Sequence, residues 1–144
     1  SRERFPEAAT LLVGEHAAML RQYGVTPRSS VVIITRGHVH DETSLRAALT
    51  SPVLPRYVGM IGSKRRAIET IKRLAAEGID PVRLEQVRTP IGLDIGADSP
   101  EEIALAVMAE IVAVRRGGTG VPLRDRRTQP KSAKPSRDGS GSCG

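Results

Sequence analysis

Apolar residues in this chain recur at two spacings, one suited to strands and the other to helices. Val31-Val32-Ile33-Ile34, within "SSVVIITRG", is a β-branched run without polar alternation. That pattern predicts a parallel strand buried on both faces. "RYVGMIG" (56–62) predicts the next strand, Gln86–Thr89 a weaker one, and Thr10–Gly14 a short one ahead of them. Between strands the spacing lengthens. Residues 15–22 predict a short helix ending near Gly24. A second helix carries Leu45, Ala48 and Leu49 on one face, with Asp41 expected as its cap. A third begins at the N-cap Ser63, follows helical spacing through Ala67, Ile68, Ile71, Leu74 and Ala75, and closes at Gly78.

The final helix has the clearest local signals. Ser99-Pro100-Glu101-Glu102 combines a capping box, a proline at the first helical position and an acidic first turn. Arg115, Arg116 and Gly117 end it with cations and a C-cap, as the helix dipole favours. "IALAVMAEIVAV" between them is apolar nearly all round, which predicts a helix deep inside the domain or shared with a partner subunit. Strand alternating with helix predicts an α/β fold with a mostly parallel sheet. Ligands of such sheets bind beyond the carboxyl ends of the strands. Three segments fall there: "TRGHVHD" (35–41), "GSKRR" (62–66) and "PIGLDIGAD" (90–98).

Each segment carries its own chemistry. In "GSKRR" three cations open a helix whose start is already positive, opposing the dipole by roughly 0.3–1 kcal/mol each when exposed. Gly62, Ser63, Lys64 and Arg65 are therefore expected to hold an anion on backbone N–H groups and cationic side chains, against the alternative of an ordinary turn whose cations are screened by water. The spacing is not that of a Walker P-loop. In "TRGHVHD", Thr35, Gly37, His38, His40 and Asp41 are expected to line a polar ligand pocket; the alternative is a structural turn. No metal ligand is assigned, because Asp41 follows His40 directly, no further histidine follows, and His16 is expected to lie elsewhere. In "PIGLDIGAD", Gly92 and Gly96 allow close backbone approach, and Asp94 is expected to be buried. Asp94 then binds either a ligand hydroxyl or amine, or its own loop backbone. No serine–histidine–acid set emerges, so catalytic residues stay unassigned, with an Asp41/Asp94 acid–base pair left open.

Composition narrows this further. A chain of 144 residues suggests one domain with a real core. No run approaches a membrane span, and "SRERFPEA" shows no apolar targeting segment. Ser1 stands where an initiator Met is expected, which points to a fragment or a processed product. Cys143 is the single cysteine, which excludes an internal disulfide or a cysteine zinc site and suits a reducing cytoplasm. The formal charge of +6 is uneven: residues 1–116 hold 16 Lys/Arg against 14 Asp/Glu, and residues 117–144 hold 6 against 2. The excess thus sits in a Gly/Ser/Pro-rich segment, and 118–144 is expected to be a disordered basic tail after a domain at 1–117. Phe5, Tyr23 and Tyr57 are the only aromatic residues, which argues against a base-stacking surface and nucleic-acid binding.

Taken in order, "VVIITRGHVHD", "YVGMIGSKRR" and "PIGLDIGADSPEEIALAVMAEIVAVRRG" resemble the XdhC/CoxI family, accessory factors for molybdenum hydroxylases such as xanthine dehydrogenase and CO dehydrogenase. The resemblance spans residues 2–117 and implies a Rossmann-like domain with helices flanking a mostly parallel sheet. It also implies a chaperone-like maturation factor rather than an enzyme, one that binds the molybdenum cofactor, assists its sulfuration and passes it to the apo-hydroxylase. A cysteine desulfurase and a second copy of the chain are further implied partners. Molybdopterin's phosphate suits the helix start at Ser63, and its pterin ring suits Asp94, His38 or Thr35. The family's glycine-rich opening turn has no match in residues 1–30, so the first strand, helix and second strand are missing. NAD(P) binding is accordingly expected only with that upstream part. The alternatives are a fragment of an NAD(P)-dependent oxidoreductase and an interaction module built on the final helix.

Overall fold

A computed structural model describes residues 1–127. In chain order the elements are α1 (His16–Tyr23), β1 (Ser30–Ile33), α2 (His38–Leu49), β2 (Tyr57–Met60), α3 (Lys64–Ala76), α4 (Pro81–Glu85), β3 (Val87–Arg88) and α5 (Pro100–Arg116), followed by a 3₁₀ turn at Leu123–Asp125. The three strands form one parallel sheet in the order β1-β2-β3. Its register sets Ile33 beside Met60, Val31 beside Val58, and Val58 beside Val87. Among the described residues no helix is long and apolar enough to cross a membrane.

Period-two alternation sorts the side chains of β2 onto two faces, and both are buried. On one face Ile33, Val58 and Met60 pack with Leu45, Ala48 and Leu49 of α2, Leu74 of α3 and Leu84 of α4. The opposite face carries Tyr57 and Gly59, over which the segment after β3 folds back. A Cβ at Gly59 would lie 2.4 Å from Ile91 Cδ1 and 2.8 Å from the Tyr57 hydroxyl oxygen. α5 is held over the same face: the Tyr57 hydroxyl donates to Glu110 Oε1 at 2.7 Å, and the Gly92 N–H donates to the same oxygen at 3.1 Å.

The helix ends follow local chemistry. Ser63 Oγ accepts from the Arg66 N–H, and the Ser99/Glu102 capping box is complete. α3 ends in a paired closure, with Gly78 N–H on the Ala75 carbonyl and Ile79 N–H on the Leu74 carbonyl, which satisfies two of its orphan acceptors. Gly78 has φ +89°, a conformation that glycine tolerates best. α2 ends differently. Arg83 of α4 donates to the Leu49 and Ser51 carbonyls at 2.6 and 3.0 Å, a long-range cap. Arg46 grips Glu77 through two bonds of 2.7 and 2.8 Å, and Glu42 receives both Arg46 and Arg73, so α2 and α3 are laced along their exposed sides.

Several expectations need correction. Thr10–Gly14 is not a strand: it lies alongside no partner, and Val13 is 93% exposed. A short apolar run becomes a strand only where an edge accepts it. β1 is not buried on both faces, since Val32 and Ile34 are exposed. It is one of the sheet's two edge strands, and the layer formed by α5 and Ile91 sits over β2. In α3 the buried positions are Ala67, Thr70 and Leu74, while Ile68 faces out. α5 is not deep inside; it buries Ala106, Val107 and Glu110 and exposes the opposite side. α4, introduced by Asp80 as N-cap and Pro81, is too short for apolar spacing to signal. Within 118–127 the structure shows the 3₁₀ turn and a close approach of Gly120 to Leu93. The rest of the tail, with Cys143, lies outside the described residues.

Two outcomes are expected. Gly59→Ala should lower the unfolding free energy by about 1–3 kcal/mol, because the new methyl overpacks the contact with Ile91. Urea unfolding checks this, and pairing the change with Ile91→Ala should recover part of the loss. Burial, followed by the Glu110 hydrogen bond and charge, holds the Tyr57 phenol well above its ordinary 10.0. The unfolded chain therefore loses this proton first, so the contribution is intact below pH 10 and is lost as pH rises beyond it. Stability should start to fall as pH rises past about 10 and go on falling above it, and Tyr57→Phe should flatten that slope in urea midpoints.

Candidate functional site

β1 and β2 run in parallel and in register, so their carboxyl ends lie side by side, and each feeds directly into a helix. After β1 the chain turns at Thr35–Gly37 and α2 begins at His38 with Gly37 as N-cap. After β2 it turns at Ile61–Ser63 and α3 begins at Lys64. The two helix starts are bridged: Arg66 Nη2 donates to His38 Nε2 at 3.0 Å, so that nitrogen must be the unprotonated one. Helix starts present unpaired N–H groups and partial positive charge. α2 has no side-chain cap at all, and α3 has only the Ser63 bond to Arg66. The first turn of α3 contains no acid.

Asp41 sits in the first turn of α2 and is only 2% exposed. It does not cap the helix, as the sequence suggested, because the helix starts three residues earlier. Its Oδ1 lies 2.5 Å from Thr35 Oγ1, while Oδ2 has no hydrogen-bond partner among the described residues. Thr35 Oγ1 also lies 3.0 Å from the Gly37 carbonyl, so its single proton locks the turn from within. Thr35 and Asp41 thus hold the shape of the loop, and Gly37 is left with open space about its Cα.

The cations separate by role. Arg65 is 89% exposed and pairs with Glu69 at 3.1 Å along its own helix, so it points away from the helix start. Arg66, which is not among the residues the sequence singles out, is the one that reaches across to α2. Only its place four residues after Gly62, at the N3 position behind the Ser63 cap, could have signalled this. Lys64 forms no ion pair among the described residues. His40 turns aside and meets His16 of α1 edge-on, with ring centroids 5.3 Å apart. His16 therefore does not lie elsewhere; α1 packs on α2 and brings it there. Among the described residues, no group of three or more His, Cys, Asp or Glu side chains is placed to hold a metal ion.

The third segment is partly architectural. Gly92, at φ +101°, lies against α5, where a Cβ would come within 3.2 Å of the Ala106 Cβ. Its conformation serves packing. Asp94 is exposed, contrary to expectation, and lines a hollow of about 310 Å³ with Gly96, Ile103 and Ala106. Neither helix start shares a hydrogen bond with Asp94 among the described residues. The structure thus joins Thr35, Gly37, His38 and Asp41 to Gly62, Ser63 and Arg66, while His40, Arg65 and Asp94 face other surroundings.

Comparison with known proteins places this arrangement. A family model described as "XdhC Rossmann domain" matches residues 1–111. The chain is 33% identical over 112 residues to a Bacillus subtilis protein named as a probable xanthine dehydrogenase subunit, covering 78% of this chain and 31% of that protein. It is 29% identical over 119 residues to a protein of Escherichia coli named YqeB, covering 82% of this chain and 21% of that one. Its structure resembles the crystal structure of a xanthine dehydrogenase from Bacillus halodurans, with a TM-score of 0.67 and 28% identity over 83% of this chain and 33% of that chain. The chain therefore spans about a third or less of the length of these relatives.

Thr35→Val should destabilise the loop. It keeps the side-chain shape and leaves both Asp41 oxygens unpaired, a cost of about 1–3 kcal/mol or more for a charged group. Urea unfolding of Thr35→Val beside Thr35→Ser, which retains the hydroxyl, reads this; the serine variant should lose less than half as much.

Proposed function

The chain belongs to the XdhC Rossmann-domain family, and on that premise we propose that it is the cofactor-holding part of an accessory factor for a molybdenum hydroxylase of the xanthine or CO dehydrogenase kind. It binds molybdopterin, assists its sulfuration and delivers it to the apo-enzyme, with a cysteine desulfurase as the source of sulfur. One observation carries the reading: two helix starts stand side by side at the carboxyl ends of adjacent parallel strands, and Lys64 and Arg66 add cationic side chains where the dipoles already favour an anion.

The donor set suits a phosphate-bearing cofactor. The N–H groups of Lys64 and Arg65 have no side-chain cap, and neither do those of His38 and Val39 at the start of α2. These groups take phosphate oxygens, with Lys64 and Arg66 as the charged partners. Arg65 contributes its backbone and not its guanidinium, which is committed to Glu69. Gly37, whose Cα faces open space, lets a ligand approach the backbone of the turn. When bound, the cofactor supplies the molybdenum centre that the hydroxylase uses; this chain's residues bind its phosphate end and orient it.

The test is cofactor retention by the 144-residue chain purified from cells that make molybdopterin, read as molybdenum content and pterin fluorescence. A Lys64→Ala/Arg66→Ala variant should retain about tenfold less or lower, since each charge-assisted bond contributes about 1.5–3 kcal/mol. Its unfolding free energy should change by no more than about 1.5 kcal/mol, because Lys64 is exposed and the half-buried Arg66 gives up only its bond to His38. Undiminished retention in the variant, or parallel loss of retention and stability, would count against the reading.

A further inference from the structure

A second charged hollow lies apart from the two helix starts. It holds about 330 Å³ between the end of β3 and the last turns of α5, and Arg88, Leu93, Glu110, Ala113, Val114 and Thr119 line it. No residue of the turns at Thr35–Gly37 and Ile61–Ser63 borders it. Its volume is at the small end of the range in which ligand pockets fall.

Glu110 is only 8% exposed, and its two oxygens are used unequally. Oε1 takes both the Tyr57 hydroxyl and the Gly92 N–H. Oε2 accepts from no donor among the described residues, yet it is not sealed: the sealed, unpaired side-chain oxygens belong to Asp41, Ser44 and Thr89. The free oxygen therefore opens into the hollow that Glu110 lines. A carboxylate buried to this degree calls for a cationic partner. Arg88, which ends β3 beside Gly59, is exposed and forms no ion pair among the described residues. Burial raises the Tyr57 pKa most, Glu110 raises it further and Arg88 lowers it, so both charges stand near that phenol. α5 adds an acceptor. Gly117 and Gly118 both donate to the Ala113 carbonyl, which leaves the Val114 carbonyl without a backbone donor among the described residues. A helix end of this kind is partly negative and favours a cation.

We propose that this hollow binds a small aliphatic α-amino acid as its zwitterion. A simple cation there is repelled by Arg88, and a simple anion by Glu110; a ligand with both charges on one carbon meets neither obstacle. Its ammonium group donates to Glu110 Oε2 and to the Val114 carbonyl. Its carboxylate lies on the Arg88 guanidinium, which can hold both oxygens at once. Leu93, Ala113 and Val114 give the remaining wall an apolar surface, where an aliphatic side chain leaves water. The site is independent of what the strand ends bind.

Calorimetric titration of the 144-residue chain with L-leucine should show one site with a Kd below about 1 mM. Isoamylamine, which lacks the carboxylate, and isocaproate, which lacks the amine, should each bind about tenfold more weakly or worse, since each loses a charge-assisted partner. Amide resonances of Gly118 and Thr119 should shift as L-leucine is added. Glu110 also holds Tyr57 and Gly92, so Arg88 is the residue to change. Arg88→Gln should weaken L-leucine about tenfold and leave isoamylamine no weaker than before. That variant keeps most of the aliphatic stem and breaks no ion pair, and its urea midpoint reports whether the fold is intact. No heat or shift with L-leucine overturns the proposal: Arg88 then closes on Glu110 and fills the hollow itself. Equal binding of L-leucine and isoamylamine, or full binding by Arg88→Gln, overturns the two-charge reading. Shifts confined to residues that do not line the hollow overturn the location.

Discussion

Ile91 lies so close over the central strand that a side chain at position 59 would collide with it. Much of the architecture depends on that contact. It brings the segment after β3 back across the sheet, where the Gly92 N–H reaches Glu110 and the Leu93 N–H reaches the Ala106 carbonyl. α5 is thereby pinned over β2, and Tyr57 closes the arrangement from the strand side. A parallel sheet requires cover on both faces, and three short strands leave little area to hold it. The central strand is covered twice, while the edge strand β1 keeps Val32 and Ile34 exposed.

The geometry of the candidate site is a consequence of this frame. Parallel pairing in register aligns the exits of β1 and β2, and the short turns after them leave no freedom to start the helices anywhere else. The ion pairs among Glu42, Arg46, Arg73 and Glu77 link α2 to α3 farther along. Such a bidentate, shared network holds two helices in register better than isolated surface pairs do. Polar residues near the turns divide into those that shape the backbone, Thr35 and Asp41, and those left available, Lys64 and the uncapped N–H groups.

This division also explains why a hollow of about 450 Å³ between α1 and the end of α2 is a poor guide to function. It lies near Gly24 and Thr50–Val53, at the opposite end of α2 from Gly37, and its lining is mostly apolar. Parallel sheets concentrate helix starts and glycine turns at one end only, and that is where backbone N–H groups can hold charge. α5 meanwhile keeps one face toward the sheet and the other toward solvent.

By itself the sequence determined what is decided within a few residues. The Ser63 and Ser99 caps, the closure of α3 at Gly78 and the start of α5 at Pro100 all depend on groups at most five positions apart. So does the alternation of strand and helix, and with it the parallel sheet and the three segments at its carboxyl end. Tertiary structure decided everything that turns on who the neighbour is. Thr10–Gly14 reads as a strand but finds no strand beside it, and Asp94 reads as buried but has no layer above it. Arg65 and Arg66 are neighbours in the sequence, yet one turns along its helix to Glu69 and the other across to His38. His16 meets His40 because α1 packs on α2. Local hydrogen bonds are encoded in spacing; burial and cross-element contacts exist only once the elements are packed together.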